Sequence, residues 1–429
     1  MLKRIKQPIL EFSGIALIAL AIVINWYASR RSSFDFFNFY LTGYGIASGS
    51  PIYDPEWQRM AFAEILDRRA ELSRFSRSIF YPPATGIVTL PIALLPYWFA
   101  QIAWFAILNA AIIWGVRAIV KLASPTATRG VWLLAAGVVL ISSCTRWSMT
   151  QLHGPPLVFA LLAFLLVALY KDRPVVAFVV VTVATAFKFT MALPFFGLLL
   201  LHKRYGVLIG SLAFAGTLNL IGFARVGGLS AVKDYSAQAQ ILESIGTVNS
   251  PSPWDRQSAP RLDWPYLLNG LTGYLPLSRI LALILFVACC VWLFRKNLQI
   301  PRPLSLDVSA AFLISMVCLG VLCVYHHHYD IVPLLVPLLV VFVRFREFEP
   351  YQNRLALKLM MPLIAMIALL PVAISDRIAV AILGDLGFGL LNMTYSVATT
   401  LMLISSLIII QRIAINAHRD DRTSHQARV

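Results

Sequence analysis

Ile280-Leu281-Ala282-Leu283-Ile284-Leu285-Phe286-Val287-Ala288-Cys289-Cys290-Val291-Trp292-Leu293-Phe294 runs without a charge and stops at Arg295-Lys296. The run is continuously apolar rather than alternating, so it reads as a helix crossing a bilayer and not as a barrel strand. The basic pair at its end is a topology signal. Working outward, clear spans of this kind are expected near residues 9–27, 97–118, 131–145, 155–170, 205–224, 278–294, 306–325, 330–344, 357–375 and 387–411. The chain is 59% hydrophobic and only 13% charged, against roughly 25% charged in a soluble domain. Its mean hydropathy is +0.75. An all-α polytopic membrane protein follows. The net charge of +16 does not indicate nucleic acid, because Lys and Arg gather where apolar runs end.

Two segments are ambiguous. Residues 80–95 are apolar but short and carry Pro91, and residues 174–201 suit one tilted span or two half-helices. Either 80–95 spans and 174–201 crosses once, or 80–95 lies at the surface and 174–201 goes in and back. Both arrangements give a bundle of about twelve transmembrane helices. They differ in the side that residues 118–173 face. Lys121, Arg129, Lys171 and Arg173 favour the second. Lys3, Arg4 and Lys6 place the N-terminus in the cytoplasm, with Lys203-Arg204, Arg344 and the tail residues Arg412, Arg419, Arg422 and Arg428 on the same side. The N-terminal run lacks a clear small-residue cleavage site and reads as an uncleaved first span.

Two long polar loops are then expected outside, at about 28–79 and 225–277, the first helical from Pro55 to Arg77. Three regions are expected: a membrane module over 1–345, further transmembrane helices over 346–411 and a basic cytoplasmic tail over 412–429. Cys144, Cys289, Cys290, Cys318 and Cys323 lie in or beside apolar runs, without metal-ligand spacing, and read as small buried hydrophobes. No cofactor is expected; a divalent metal would be compatible but nothing indicates one. No Walker loop, dinucleotide glycine fingerprint, His-Glu-x-x-His or nucleophile elbow is present.

Four places could carry chemistry. Asp35 stands within Phe34-Asp35-Phe36-Phe37-Asn38-Phe39-Tyr40, expected as an aromatic loop just outside the first span. Partial desolvation there would suit a carboxylate to general-base work, although an acid beside a span can merely cap a helix. Asp54, after Gly49 and Pro51, reads as a turn residue. Lys188 is the only charge between Pro174 and Leu201. A lone cation in an apolar segment suggests function by default, with an anion such as a lipid phosphate as partner, against snorkelling to the interface. His326-His327-His328-Tyr329-Asp330 could aim one or two imidazoles at a phosphate or hydroxyl; contiguous histidines are poor metal spacing. Gln151-Leu152-His153-Gly154-Pro155-Pro156 could contact substrate or cap helices, with nothing to choose between the two.

On these residues the chain resembles the GT-C superfamily of membrane glycosyltransferases, and more narrowly glycosyltransferase family 87, the polyprenyl-phosphate-mannose-dependent alpha-1,2-mannosyltransferases. The matching pieces are Asp35-x-x-x-Phe39-Tyr40, Gly49-x-Pro51-Ile52-Tyr53-Asp54, Phe80-Tyr81-Pro82-Pro83 leading to Pro91, Gln151 with Gly154, Lys188 with Pro194 and Lys203-Arg204, and His327-His328-Tyr329 with Pro333 and Pro337. The resemblance implies an external active site in a bacterial inner membrane. There Asp35 would act as base, and a mannosyl group would pass, with inversion, from a polyprenyl phosphate to a glycolipid or glycan acceptor. Tyr40, Tyr81, Gln151, Lys188, His326, His327 and His328 would contact substrate, with Lys188 and His327 or His328 on the phosphate. Membrane lipids are the other expected partners, and nucleic acid is not. The sequence departs from the family pattern at Gln151-Leu152-His153 and at Cys323-Val324-Tyr325. Two other classes compete. A flippase or transporter of lipid-linked saccharides would show repeated halves, and none is visible. An envelope polymerase or ligase would need late-loop basic residues, for which only Arg256 and Arg261 offer themselves.

Overall fold

A computed structural model describes residues 7–30, 34–66, 81–242, 244, 249–255, 261–324, 326–344 and 393–416. These residues form α1 (Gln7–Ser29), α2 (Phe34–Ser48), α3 (Pro55–Leu66), α4 (Pro83–Ala93), α5 (Tyr97–Ala123), α6 (Arg129–Ile141), α7 (Ser143–Thr150) and α8 (Pro155–Tyr170). They continue with α9 (Pro174–Phe187), α10 (Leu193–Leu201), α11 (Tyr205–Arg225), α12 (Leu229–Leu242), α13 (Trp264–Thr272), α14 (Leu275–Gln299), α15 (Leu306–Cys323), α16 (Leu335–Val343) and α17 (Met393–Asn416). The only β pairing among the described residues is one antiparallel bridge, Arg261 with His327.

Among the described residues six helices are long and apolar enough to cross a membrane: α1, α5, α11, α14, α15 and α17. α6 and α7, bent by 61°, make a seventh if counted together. Others expected to cross, at 80–95, 155–170, 174–201 and 330–344, form shorter apolar helices, so length alone does not yield twelve crossings. The expected span at 357–375, the start of that at 387–411, the boundary at 345/346 and most of the tail lie outside the described residues, as do Arg68 to Arg77 of the first expected loop.

That first loop is where expectation and structure part. Asp35 is not in a loop but in the first turn of α2. The aromatic run is helical because both of its faces find partners. Phe36, Phe39 and Tyr40 pack into the main core, while Phe37 and Leu41 join Ile52, Tyr53 and Phe62 in a second cluster. Glycines let α2 and α4 approach closely. A Cβ at Gly86 would come within 2.8 Å of the Thr42 carbonyl oxygen, and one at Gly43 within 2.6 Å of the Ala93 methyl. Such small-residue contacts suit helices in lipid, where backbone approach supplies the attraction. Asp54 is the turn residue expected, accepting a hydrogen bond from the Glu56 N–H at 2.9 Å. The second expected loop also carries helices, α12 and α13.

The ambiguous segment 174–201 divides into two helices. α9 ends at Phe187, a 3₁₀ turn covers Phe189–Met191, and α10 follows. Pro194 explains the break: it offers no N–H, and its ring would collide with the carbonyl four residues earlier, that of Thr190. That freed carbonyl lies 3.2 Å from Nε2 of His326. The break therefore exposes a backbone acceptor and sets Lys188, the residue that ends α9, in a non-helical conformation (φ −148°, ψ 81°).

Candidate active site

Five ionisable side chains from four places in the sequence converge at the ends of α2, α7 and α9. The Asp35 carboxylate lies 3.0 Å from Nδ1 of His153. The contact is oblique, an ion-pair distance rather than an aligned hydrogen bond. Nε2 of His153 is 2.6 Å from the Lys188 ammonium and 3.5 Å from Asp330. Lys188 donates to Asp330 at 2.5 Å, and the other Asp330 oxygen faces Nδ1 of His326 at 3.0 Å.

Each group is held by local structure. His153 follows a turn that closes α7: its N–H reaches the Ser148 carbonyl at 2.8 Å, while the Leu152 N–H reaches Met149 at 3.1 Å. This is the 6→1 and 5→2 pair of a Schellman motif, whose middle residue must be left-handed. Glycine is usual there, yet Leu152 takes φ 50°, at a cost of order 1–2 kcal/mol. Trp104 offsets the strain by donating from its indole to the Leu152 carbonyl at 2.9 Å. Asp330 sits in the 3₁₀ helix His328–Leu334, where its carboxylate accepts the His327 N–H at 3.1 Å. The bridge to Arg261, with the Leu262 N–H donating to the His326 carbonyl at 2.9 Å, fastens that segment to the chain entering α13. Arg261 is itself buried, forked onto Asp263 at 2.7 and 3.0 Å.

The two carboxylates differ in what remains open. Asp330, 4% exposed, is surrounded by Lys188, His326, His153 and a backbone N–H. Asp35 keeps 14% of its side chain exposed. A carboxylate with accessible lone pairs can take a proton from an incoming hydroxyl; a saturated one can only hold its neighbours. Lys188 carries only donors, so Nε2 of His153 must accept and Nδ1 carries the hydrogen. His326 faces an acceptor at each ring nitrogen, the Thr190 carbonyl and the Asp330 carboxylate.

The expected site residues divide accordingly. Asp35, Lys188 and His326 are in the cluster. Lys188 is not a lone cation, since Asp330 and His153 partner it. Gln151 is one turn residue away, its carbonyl accepting the Phe36 N–H at 3.2 Å. Tyr40 points toward the α4–α5 turn, where its hydroxyl donates to the Leu95 carbonyl at 2.9 Å. Tyr81 is buried with its ring 4.4 Å from Phe39, and Phe39 in turn lies 5.6 Å from His153. His327 contributes backbone to the cluster. His328 points elsewhere, among Trp147, Tyr329 and Tyr395. Its ring nitrogens have no hydrogen-bond partner among the described residues.

Sequence reasoning did not assign His153 or Asp330 to the site, although both lie within stretches that drew notice. The remaining signal for Asp330 was an acid four residues after a histidine. Among the described residues no three His, Cys, Asp or Glu side chains are grouped to hold a metal ion.

The family model of glycosyltransferase family 87 covers residues 80–324. No curated protein and no solved structure matches the chain.

Proposed function

The chain belongs to glycosyltransferase family 87 and is a membrane glycosyltransferase, and from that premise we propose that it moves a mannosyl group from a polyprenyl phosphate to an envelope glycolipid or glycan. Asp35 is the general base. It removes the proton of the acceptor hydroxyl as that oxygen attacks the anomeric carbon. The bond from that carbon to the phosphate oxygen breaks, its electron pair leaves with the lipid phosphate, and configuration inverts. Lys188 lies on the far side of His153 and supplies a cationic donor for the leaving phosphate, while His326, with both ring nitrogens turned to the Thr190 carbonyl and Asp330, holds Asp330 in place. Such a donor counts most where water is excluded, and Lys188 is 10% exposed. The active site faces outside in a bacterial inner membrane, the side opposite the basic N-terminal residues.

One observation carries this reading: Asp35 is the cluster's carboxylate with an open face, two contacts away from a buried ammonium. The test is transfer from a radiolabelled polyprenyl-phosphate mannose by purified protein. Asp35→Asn should lose about 10²–10⁴-fold in kcat while the protein melts as wild type. Transfer that persists at wild-type rate in Asp35→Asn would remove Asp35 from the mechanism.

A further inference from the structure

We propose that His153 is the positioning residue of Asp35: its Nδ1–H aims the carboxylate at the acceptor hydroxyl, and its Nε2 ties that aim to Lys188. The proposal rests on Asp35 acting as base, and it adds a residue to which no role has been given.

Three observations carry it. First, the turn holding His153 and the helix holding Asp35 are joined by backbone, through the Phe36 N–H on the Gln151 carbonyl at 3.2 Å. The backbone segments that carry the two side chains are therefore held side by side. Second, His153 is presented by a left-handed leucine, a conformation that persists only where surrounding contacts over-determine it. The Trp104 indole and the Ser148 carbonyl supply those contacts. Third, the imidazole is 6% exposed, and its two nitrogens face different partners, Asp35 and Lys188. Lysine cannot accept, so the tautomer is set from the Lys188 side, and the hydrogen on Nδ1 is presented to Asp35 as a consequence. The groups facing the ring are Asp35, Lys188, Asp330 and Tyr329, with Phe39 on one face. Contacts of this kind are often oblique in the free enzyme and tighten in the reacting complex.

Two substitutions separate aiming from simple filling of space. His153→Asn places an amide where Nδ1 stood, keeping a donor for Asp35 and losing Lys188. His153→Gln reaches the Nε2 position, keeping an acceptor for Lys188 and losing Asp35. With purified protein and polyprenyl-phosphate mannose, His153→Asn should retain kcat within about tenfold. His153→Gln should lose about 10²-fold, with the donor KM unchanged in both. Equal losses, or a better Gln than Asn variant, would overturn the role, provided Asp35→Asn is inactive; an active Asp35→Asn instead points to the base assignment. A second measurement needs no variant of His153 to fold. In ¹⁵N-histidine-labelled wild-type protein, one neutral imidazole should be protonated at Nδ1, and its Nδ1 resonance should move in Asp35→Asn. Finding no such Nδ1–H tautomer would equally refute the proposal.

Discussion

Asp330→Asn tests the cluster most directly. The substitution keeps the shape of the side chain and one carbonyl acceptor for the His327 N–H. It removes the negative charge 2.5 Å from the Lys188 ammonium. Neither partner can turn to water, since Asp330 is 4% and Lys188 10% exposed. Removing one partner of a buried ion pair costs about 3–5 kcal/mol, because the other charge stays desolvated and unpaired. At about 2–4 °C per kcal/mol for a large domain, the melting midpoint should fall by roughly 10 °C. The assay is tryptophan-fluorescence melting of detergent-purified protein, with two controls. Glu56→Gln breaks the exposed Arg59–Glu56 pair, 59% and 60% open to solvent, and should leave the midpoint unchanged. Lys188→Met with Asp330→Asn removes both charges and should recover most of the loss. An Asp330→Asn protein that melts with wild type, or a double variant whose loss relative to wild type equals the sum of the two single losses, would refute the pairing.

Other consequences are local. Arg261→Met leaves the Asp263 carboxylate, fully buried at the start of α13, without its cation. It should destabilise by about 3–5 kcal/mol and speed hydrogen exchange at the Leu262 amide, which is bonded to His326. His326→Asn keeps a donor toward Asp330 but gives up the contact with the Thr190 carbonyl. Leaving that buried acceptor unpaired should lower stability by about 1–3 kcal/mol, and an unchanged melting midpoint would refute the contact. His202 lies in the turn between α10 and α11, where burial, with Arg302 and Arg204 nearby, pushes its imidazole down to about 4. Its unfolded value is about 6.5, so the unfolded chain takes up the proton first. Stability should fall from pH 6.5 toward pH 4, by up to about 2 kcal/mol at pH 5. His202→Gln should flatten that part of the melting–pH curve.

Much of the membrane architecture is legible in the sequence because an apolar run is a local property. Lys188 is legible for the same reason, as a charge where the bilayer tolerates none, and Pro194 announces the break beside it. The helix at Asp35 is not, because five aromatic side chains in seven residues suit a helix only when both faces are covered. That covering comes from α4 and from residues 52–62. His153 and Asp330 are hidden for a different reason. Their roles consist of contacts with partners 118, 35 and 142 positions away, and in isolation the stretch around His153 reads equally well as a cap. Leu152 misleads further: a left-handed residue normally declares itself as glycine, and here the turn is made by tertiary contacts instead.

The pairing within the cluster has a chemical consequence. The Lys188 ammonium is taken up by Asp330 and by Nε2 of His153. Paired in this way, it gives little surplus attraction for an anionic carrier at rest. In the proposed reaction that balance changes. When Asp35 takes the acceptor's proton, the cluster becomes more positive by one unit, at the step in which the phosphate oxygen gains the electron pair of the breaking bond. Positive charge then develops beside the leaving group as negative charge develops on it. Interactions that strengthen only in the transition state raise kcat rather than ground-state binding. A base with an open face, coupled through one imidazole to a buried cation, has that property. A carboxylate saturated like Asp330 has no open lone pair with which to start.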